Sequence, residues 1–266
     1  MYQYDKKDKY VAYVGTYTHG SSIGIHVYDL DVENGYMTER EVIPVNNASH
    51  VARSTSGRYL YSIADEGVAV MRINDDGGLT PINAVGIDGM RGCFLSTDKE
   101  GRFLFVGGYH DGKVTVVHTH RDGRLGSVLD GIFHKGLGSV AERNFRPHVS
   151  CTMPTPDGKY LCVVDNGIDQ IKLYTVNPLT GKLKLYDILR CELESGPRWI
   201  RFSRDGRFAY VICELSNEIL VYSYDGSGKS PKFELLQKVE TPMDKGEVAC
   251  AASALKISPS GRYLYC

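Results

Sequence analysis

A short turn recurs five times along this chain, each time just before a run of apolar and aromatic residues. In every copy a glycine is followed by lysine or arginine, then by tyrosine or phenylalanine, and then by an apolar residue. Successive turn glycines are 44, 57, 48 and 55 residues apart. A repeat of this period with strand-like contents is typical of a β-propeller, in which each repeat forms one blade. The turn glycines are Gly57, Gly101, Gly158, Gly206 and Gly261.

The residues between two turns predict four short strands in each repeat. In 147–190, four apolar runs are separated by bends containing glycine, asparagine and proline, the residues that tight hairpins favour. We name these strands A to D, from the central channel outwards. The same pattern occurs in 50–86, 91–132 and 197–240. The sequence therefore predicts an all-β fold with four complete antiparallel blades.

The two ends of the chain predict incomplete blades. Residues 11–43 have the pattern of strands B, C and D without a strand A, and 251–266 have that of strand A and the start of strand B. This gives about 21 strands, against roughly 28 in a closed ring of seven four-stranded blades. We therefore expect 1–266 to be a single seven-bladed-type β-propeller domain, truncated at its C-terminal end. A smaller closed ring is the alternative, which the number of strands does not favour.

Composition excludes several classes of function. The formal net charge is -1 and no basic run is interleaved with aromatic residues, which argues against a nucleic-acid partner. No apolar run is long enough for a signal peptide or a membrane span, and the seven cysteines contain no C-x-x-C pair. We therefore expect a cytoplasmic protein with reduced thiols and no membrane contact. No histidine or carboxylate cluster has metal-binding spacing, so the sequence predicts neither a metal nor a cofactor, and the oligomeric state stays open.

Polar side chains converge at one mouth of the predicted channel. In antiparallel blades, strand A starts and strand B ends at the same face, whereas the five glycine turns lie at the opposite face. Arginine can hold a carboxylate or phosphate group, and histidine or glutamate can move protons, so this mouth suits an anionic, oxygen-rich ligand. The side chains placed there are His50, Asp65, Glu66, Arg91, His110, Arg146, His148, Asp165, Asn166, Arg198 and Glu214.

Several motifs resemble those of a known family along essentially the whole chain. They are YVGTYT at 13–18, TPDGKYL at 155–161, DNGIDQI at 165–171, GPRW at 196–199 and CELSN at 213–217. The chain is similar in these motifs to the seven-bladed β-propeller lactonases, which include bacterial 6-phosphogluconolactonase and fungal carboxy-cis,cis-muconate cyclase.

The resemblance implies a site of histidine, arginine and glutamate at the channel mouth. Arg198 and Glu214 match the family motifs directly, and strand geometry selects them independently. Where the family often has two histidines separated by one residue, this chain has His148 and Ser150. Residues two apart share a strand face, so His148 is expected to reach the ligand. The predicted catalytic residues are Arg198, Glu214 and His148, and the predicted substrate-binding residues are Ser150, His50, Trp199 and Asn166.

The function that the resemblance implies is lactone hydrolysis, with 6-phosphogluconolactone of the pentose phosphate pathway as the leading substrate. Arg198 is expected to bind the phosphate or the oxyanion of the tetrahedral intermediate, and Glu214 or His148 to activate water. A muconate-type lactonising cyclase is the first alternative, because cyclase-like members can carry tryptophan at the position of Trp199. The second is a non-catalytic propeller that binds a sugar acid or a protein.

Overall fold

The computed structural model describes residues 10–139, 144–241 and 251–266, and within these ranges the chain is almost entirely β-strand. One short 3₁₀ turn, Asn166–Ile168, is the only helical element there, and no described helix is long and apolar enough to cross a membrane.

The first eleven strands are β1 (Tyr10–Gly15), β2 (Gly24–Asp31), β3 (Tyr36–Pro44), β4 (Val51–Arg53), β5 (Tyr59–Ala64), β6 (Gly67–Ile73), β7 (Leu79–Gly86), β8 (Phe94–Thr97), β9 (Phe103–Gly108), β10 (Lys113–Thr119) and β11 (Leu125–Phe133). The remaining strands are β12 (Val149–Pro154), β13 (Tyr160–Asp165), β14 (Gln170–Val176), β15 (Leu183–Arg190), β16 (Pro197–Phe202), β17 (Phe208–Cys213), β18 (Glu218–Asp225), β19 (Lys232–Glu240), β20 (Lys256–Ile257) and β21 (Leu264–Tyr265).

The strands form six consecutive antiparallel sheets, which we number blades 1 to 6. Blade 1 contains β1–β3, blades 2 to 5 contain four strands each, and blade 6 contains β20 and β21. This arrangement confirms the predicted propeller, including the absence of a strand A from the described part of blade 1. No described strand joins blade 1 to blade 6, so the described sheets form an open arc.

The core lies between successive blades. Because side chains alternate across a strand, each inner strand presents one set of residues to the preceding blade and the other set to the following blade. In β13, Leu161 and Val163 pack toward blade 3, whereas Cys162 and Val164 pack toward blade 5. Both faces are therefore covered, which is why β13 is a continuous apolar run rather than an alternating one.

The five glycine turns connect strands A and B of blades 2 to 6, as predicted. Each turn glycine has a positive φ, from 66° at Gly101 to 73° at Gly57, and donates its N–H to the carbonyl three residues earlier. A polar side chain three residues before the glycine also accepts the N–H two residues after it, as Thr155 does from Tyr160. Two hydrogen bonds thus close each turn and place strands A and B in register.

Replacing Gly158 by alanine is expected to lower the free energy of unfolding by about 1 kcal/mol, because an L side chain is disfavoured at positive φ. The φ of Gly158 is 70°, and a Cβ there would meet nothing within 4 Å, so the cost is conformational only. Urea denaturation measures the change. Gly158→Asn should cost less, since asparagine tolerates this conformation; equal costs for the two variants would contradict the explanation.

Candidate active site

Two irregular positions at the start of strand A open the site. In blade 4, Val149 pairs with Asp165 but Cys151 pairs with Val164, which leaves Ser150 as a bulge. Blade 5 repeats this irregularity at Arg198. A bulge leaves one residue unpaired and redirects its side chain, and bulges are common beside active sites. Ser150 and Arg198 both line the same cavity at the channel mouth.

The cavity has a volume of about 480 Å³. Five of its residues stand eight positions before a turn glycine, one from each of blades 2 to 6: Ser49, Cys93, Ser150, Arg198 and Ser253. The remaining lining residues are Tyr17, His50, Tyr109, His110, Trp199, Glu214 and Ala254. Equivalent positions of successive blades thus form an arc along the mouth, as the blade geometry predicts.

Arg198 and Glu214 form an ion pair in the cavity wall. Nη1 of Arg198 lies 2.5 Å from Oε2 of Glu214, and their side chains are 31% and 7% exposed. Nδ2 of Asn166 donates to the same carboxylate oxygen at 3.2 Å, while the Ser150 hydroxyl donates to the Arg198 carbonyl at 2.8 Å. The pair therefore combines a solvent-accessible cation with a nearly buried carboxylate, and two polar neighbours fix its position.

Two of the predicted site residues lie behind this wall rather than on it. Asn166 is fully buried and contacts Glu214 and the Gly196 carbonyl. His148 is also buried; its Nδ1 lies 2.7 Å from the carbonyl oxygen of Tyr109, so Nδ1 must donate. The imidazole stacks on the Tyr109 ring at 4.3 Å between centroids, and it is Tyr109 that lines the cavity. Ligand contact by His148 and Asn166 stays a prediction.

A buried histidine–aspartate pair supports the wall from below. Nδ1 of His134 lies 2.6 Å from Oδ2 of Asp165, and both side chains are fully buried. Oδ1 of Asp165 accepts the backbone N–H groups of His148 and Gly167. Burial lowers the pKa of His134, and the adjacent carboxylate opposes that shift. Asp165 thus holds the turn that carries Asn166, and Asn166 in turn holds Glu214.

The described parts of an irregular segment, residues 134–139 and 144–146, lie over this turn; residues 140–143 are outside the described ranges. Nδ2 of Asn144 donates to the Asn166 carbonyl at 2.9 Å. A Cβ at Gly167 would lie 1.8 Å from the Arg146 carbonyl oxygen, so only glycine fits beneath the segment.

His50 and Trp199 form an aromatic side of the cavity. The His50 ring is 4.5 Å from that of Phe94 and 6.1 Å from that of Trp199. Nδ1 of His50 accepts the Leu95 N–H at 3.3 Å, so a neutral His50 carries its proton on Nε2. Burial, with smaller contributions from Lys256 and Arg201, lowers the pKa of His50 to about 4. His50 is therefore neutral at pH 7 and can donate a hydrogen bond.

The depressed pKa of His50 predicts a pH-dependent stability. Between its ordinary pKa of 6.5 and about 4, the unfolded chain binds a proton at His50 that the folded chain does not. Stability should therefore fall with decreasing pH across this window, by roughly 3 kcal/mol from His50 alone. Denaturant unfolding from pH 4 to 7 measures the slope, which should be shallower in His50→Gln. The same slope in both proteins would contradict this assignment.

The geometry of Cys93 and Ser150 does not favour either residue as a catalytic nucleophile. Burial raises the pKa of the Cys93 thiol to about 12, so this thiol is protonated at neutral pH. The Ser150 hydroxyl donates to the backbone carbonyl of Arg198, not to a histidine. In the described part of the chain, no group of three or more histidine, cysteine, aspartate or glutamate residues is arranged to hold a metal ion. The Arg198–Glu214 pair is therefore the arrangement best suited to act on a ligand.

Comparison with known proteins assigns the family. A family model described as "Lactonase, 7-bladed beta-propeller" matches residues 11–266. The 6-phosphogluconolactonase of Bacillus subtilis (strain 168) is 35% identical over 263 residues, covering 97% of this chain and 74% of that protein. The chain belongs to the seven-bladed β-propeller lactonase family. It spans about three-quarters of the length of this curated relative.

Solved structures agree with this assignment. A putative 6-phosphogluconolactonase from Bacteroides fragilis superimposes with a TM-score of 0.88 at 29% identity, covering 99% of this chain and 76% of the other. A periplasmic gluconolactonase of Pseudomonas aeruginosa gives a TM-score of 0.88 at 29% identity, with 96% and 74% coverage.

Proposed function

We propose that this chain is a lactone hydrolase that converts 6-phosphoglucono-1,5-lactone to 6-phosphogluconate in the pentose phosphate pathway. The observation that carries the proposal is the Arg198–Glu214 ion pair, which lies in the wall of the mouth cavity. The 35% identity to the Bacillus subtilis 6-phosphogluconolactonase supports the choice of substrate. A cavity of about 480 Å³ also falls within the size range of small-molecule sites.

In the proposed reaction, water attacks the lactone carbonyl carbon while Glu214 accepts a proton from that water. The carbonyl oxygen becomes negatively charged, and the Arg198 guanidinium stabilises it with charge-assisted hydrogen bonds. The bond between the carbonyl carbon and the ring oxygen then breaks, and the ring oxygen takes the proton from Glu214. The product is the open-chain sugar acid, formed by addition of one water.

The surrounding residues have positioning roles in this scheme. Asn166 holds the Glu214 carboxylate, and Ser150 holds the backbone of Arg198 at the bulge, so both positions are fixed before the substrate arrives. Neutral His50 offers an Nε2–H donor for sugar hydroxyl or carbonyl oxygens, and the Trp199 ring offers an apolar face to the sugar. Preorganised groups of this kind avoid reorganisation during the reaction.

A comparison of substrates tests the proposal. We expect the purified protein to accelerate the loss of 6-phosphoglucono-1,5-lactone above its spontaneous rate, with a lower kcat/KM for unphosphorylated glucono-1,5-lactone. Carboxymuconate is the third substrate, because Trp199 lines the cavity and the cyclase alternative depends on it. Turnover of carboxymuconate alone would replace the proposal by the cyclase alternative, and binding of a sugar acid without turnover would replace it by the non-catalytic one.

We further propose a cytoplasmic location. All six cysteines in the described residues are free, as is usual in a reducing compartment. The gluconolactonase of Pseudomonas aeruginosa is periplasmic, and cell fractionation decides between the two compartments for this chain. Cell fractionation should recover the protein with a cytoplasmic marker enzyme; recovery with a periplasmic marker would refute this location.

A further inference from the structure

Two cations meet on one aromatic ring inside the channel, outside the Arg198–Glu214 pair. Cζ of Arg201 lies 4.6 Å from the Trp199 ring centroid, and Nζ of Lys256 lies 5.7 Å from the same centroid. Arg201 also lies 5.3 Å from the centroid of Phe94. These distances are within the range of cation–π contacts. The indole therefore brings an arginine from blade 5 and a lysine from blade 6 into one small region.

The repeat explains why both cations face the channel. Arg201 and Lys256 each stand five residues before their turn glycine, at equivalent positions of strand A. Arg201 is two residues beyond Trp199 and so shares its strand face. The equivalent positions of blades 2, 3 and 4 are Ala52, Ser96 and Met153. At this level of the described channel, positive charge is thus confined to blades 5 and 6.

The charges of these two residues are not neutralised by the described residues around them. The ion pairs among the described residues do not include Arg201 or Lys256, and Nη1 of Arg201 donates to the backbone carbonyl of Ile200 at 3.0 Å. Lys256 is exposed in the described arc, and partial desolvation together with the nearby Arg201 lowers its pKa. His50 is neutral and supplies no counter-charge. Two like charges on one ring repel each other unless an anion joins them.

We propose that Arg201 and Lys256 form a binding site for a phosphate group or a similar doubly charged oxyanion in the channel. The planar guanidinium can bind two phosphate oxygens at once, and the lysine ammonium adds a compact second charge. A doubly charged oxyanion would match these two cations. Neither residue has a role in the proposed hydrolysis, so the site does not depend on that function.

Trp199 supplies a direct test, because it is the only tryptophan in the chain. We expect inorganic phosphate to change the tryptophan fluorescence saturably, whereas chloride at matched ionic strength leaves it unchanged. Arg201→Gln and Lys256→Gln should each weaken phosphate binding by at least about tenfold. The double variant should lose the fluorescence response. Arg207→Gln is the matched control, since Arg207 is an exposed arginine on the glycine-turn face and should bind phosphate as the unmodified protein does.

Two outcomes would overturn the proposal: a phosphate response that survives in the double variant, and the absence of any response from the unmodified protein. A response that survives in the double variant but is lost in Arg198→Gln would place the anion at the ion pair. Circular dichroism of the double variant excludes misfolding as the cause of a lost response. The bound phosphate could belong to a sugar phosphate or be a free anion, and 6-phosphogluconate and gluconate serve as the probes that separate these sources. Tighter binding of 6-phosphogluconate than of inorganic phosphate identifies a sugar phosphate. The reverse order identifies a free anion.

Discussion

Arg198→Ala is expected to lower kcat/KM for lactone hydrolysis by roughly 10²–10³-fold, because it removes the cation that stabilises the developing oxyanion. Glu214→Gln is expected to lower it by roughly 10²–10⁴-fold, because glutamine keeps the shape of glutamate but cannot accept a proton from water. Steady-state kinetics on the phospholactone, corrected for spontaneous hydrolysis, measures both effects. Arg207→Ala should leave the kinetics unchanged, since Arg207 is 75% exposed on the opposite face.

In the double variant, kcat/KM should fall by less than the product of the two single reductions, because the two residues act on the same transition state. A double variant that is slowed by the full product of the two single effects would show that the residues act independently. Full activity in either single variant would remove that residue from the mechanism.

Asp165→Ala is expected to lower the free energy of unfolding by about 3–5 kcal/mol. The substitution leaves the fully buried His134 without its partner and removes the acceptor for the backbone N–H groups of His148 and Gly167. The turn that carries Asn166 should then loosen, so that kcat falls in the protein that stays folded. Thermal and denaturant unfolding measure the first effect, and kinetics at low temperature measure the second.

Asp205→Ala is the matched control for this prediction, because Asp205 is an aspartate in an exposed glycine turn. Its loss should change stability little and activity not at all. Asp165→Asn keeps one oxygen acceptor and should fall between the unmodified protein and Asp165→Ala. Equal stability of Asp165→Ala and Asp205→Ala would contradict the importance of the buried pair.

The blades could be predicted from the sequence because the glycine turn repeats. Each turn needs a residue at positive φ, so the glycine marks the point where strand A gives way to strand B. The strands then follow from apolar runs between bends, and the structure confirms four antiparallel strands in each of blades 2 to 5. Arg198 and Glu214 could be placed at the mouth because strand ends alone decide which face they reach.

Side-chain contacts within the site could not be predicted in this way. The strand pattern places His148 and Asn166 at the mouth. Only the three-dimensional structure shows that Nδ1 of His148 donates to the Tyr109 carbonyl and that Asn166 donates to the Glu214 carboxylate. His134 gave no signal, because its partner Asp165 lies 31 residues further along the chain.

The repeat spacing could have identified some further residues of the cavity. Cys93 and Ser253 stand eight residues before a turn glycine, as Ser150 and Arg198 do, so counting back from every turn would have found them. Tyr17 and Tyr109 lie beyond strand ends, where the repeat assigns no fixed position.

The most direct test of the catalytic role of the Arg198–Glu214 pair is the initial rate of acid release from 6-phosphoglucono-1,5-lactone at constant pH. The unmodified protein should release acid faster than the buffer alone, and Arg198→Ala combined with Glu214→Ala should return the rate to the spontaneous one. An unmodified protein that gives only the spontaneous rate, or a double variant that keeps full activity, would contradict the account.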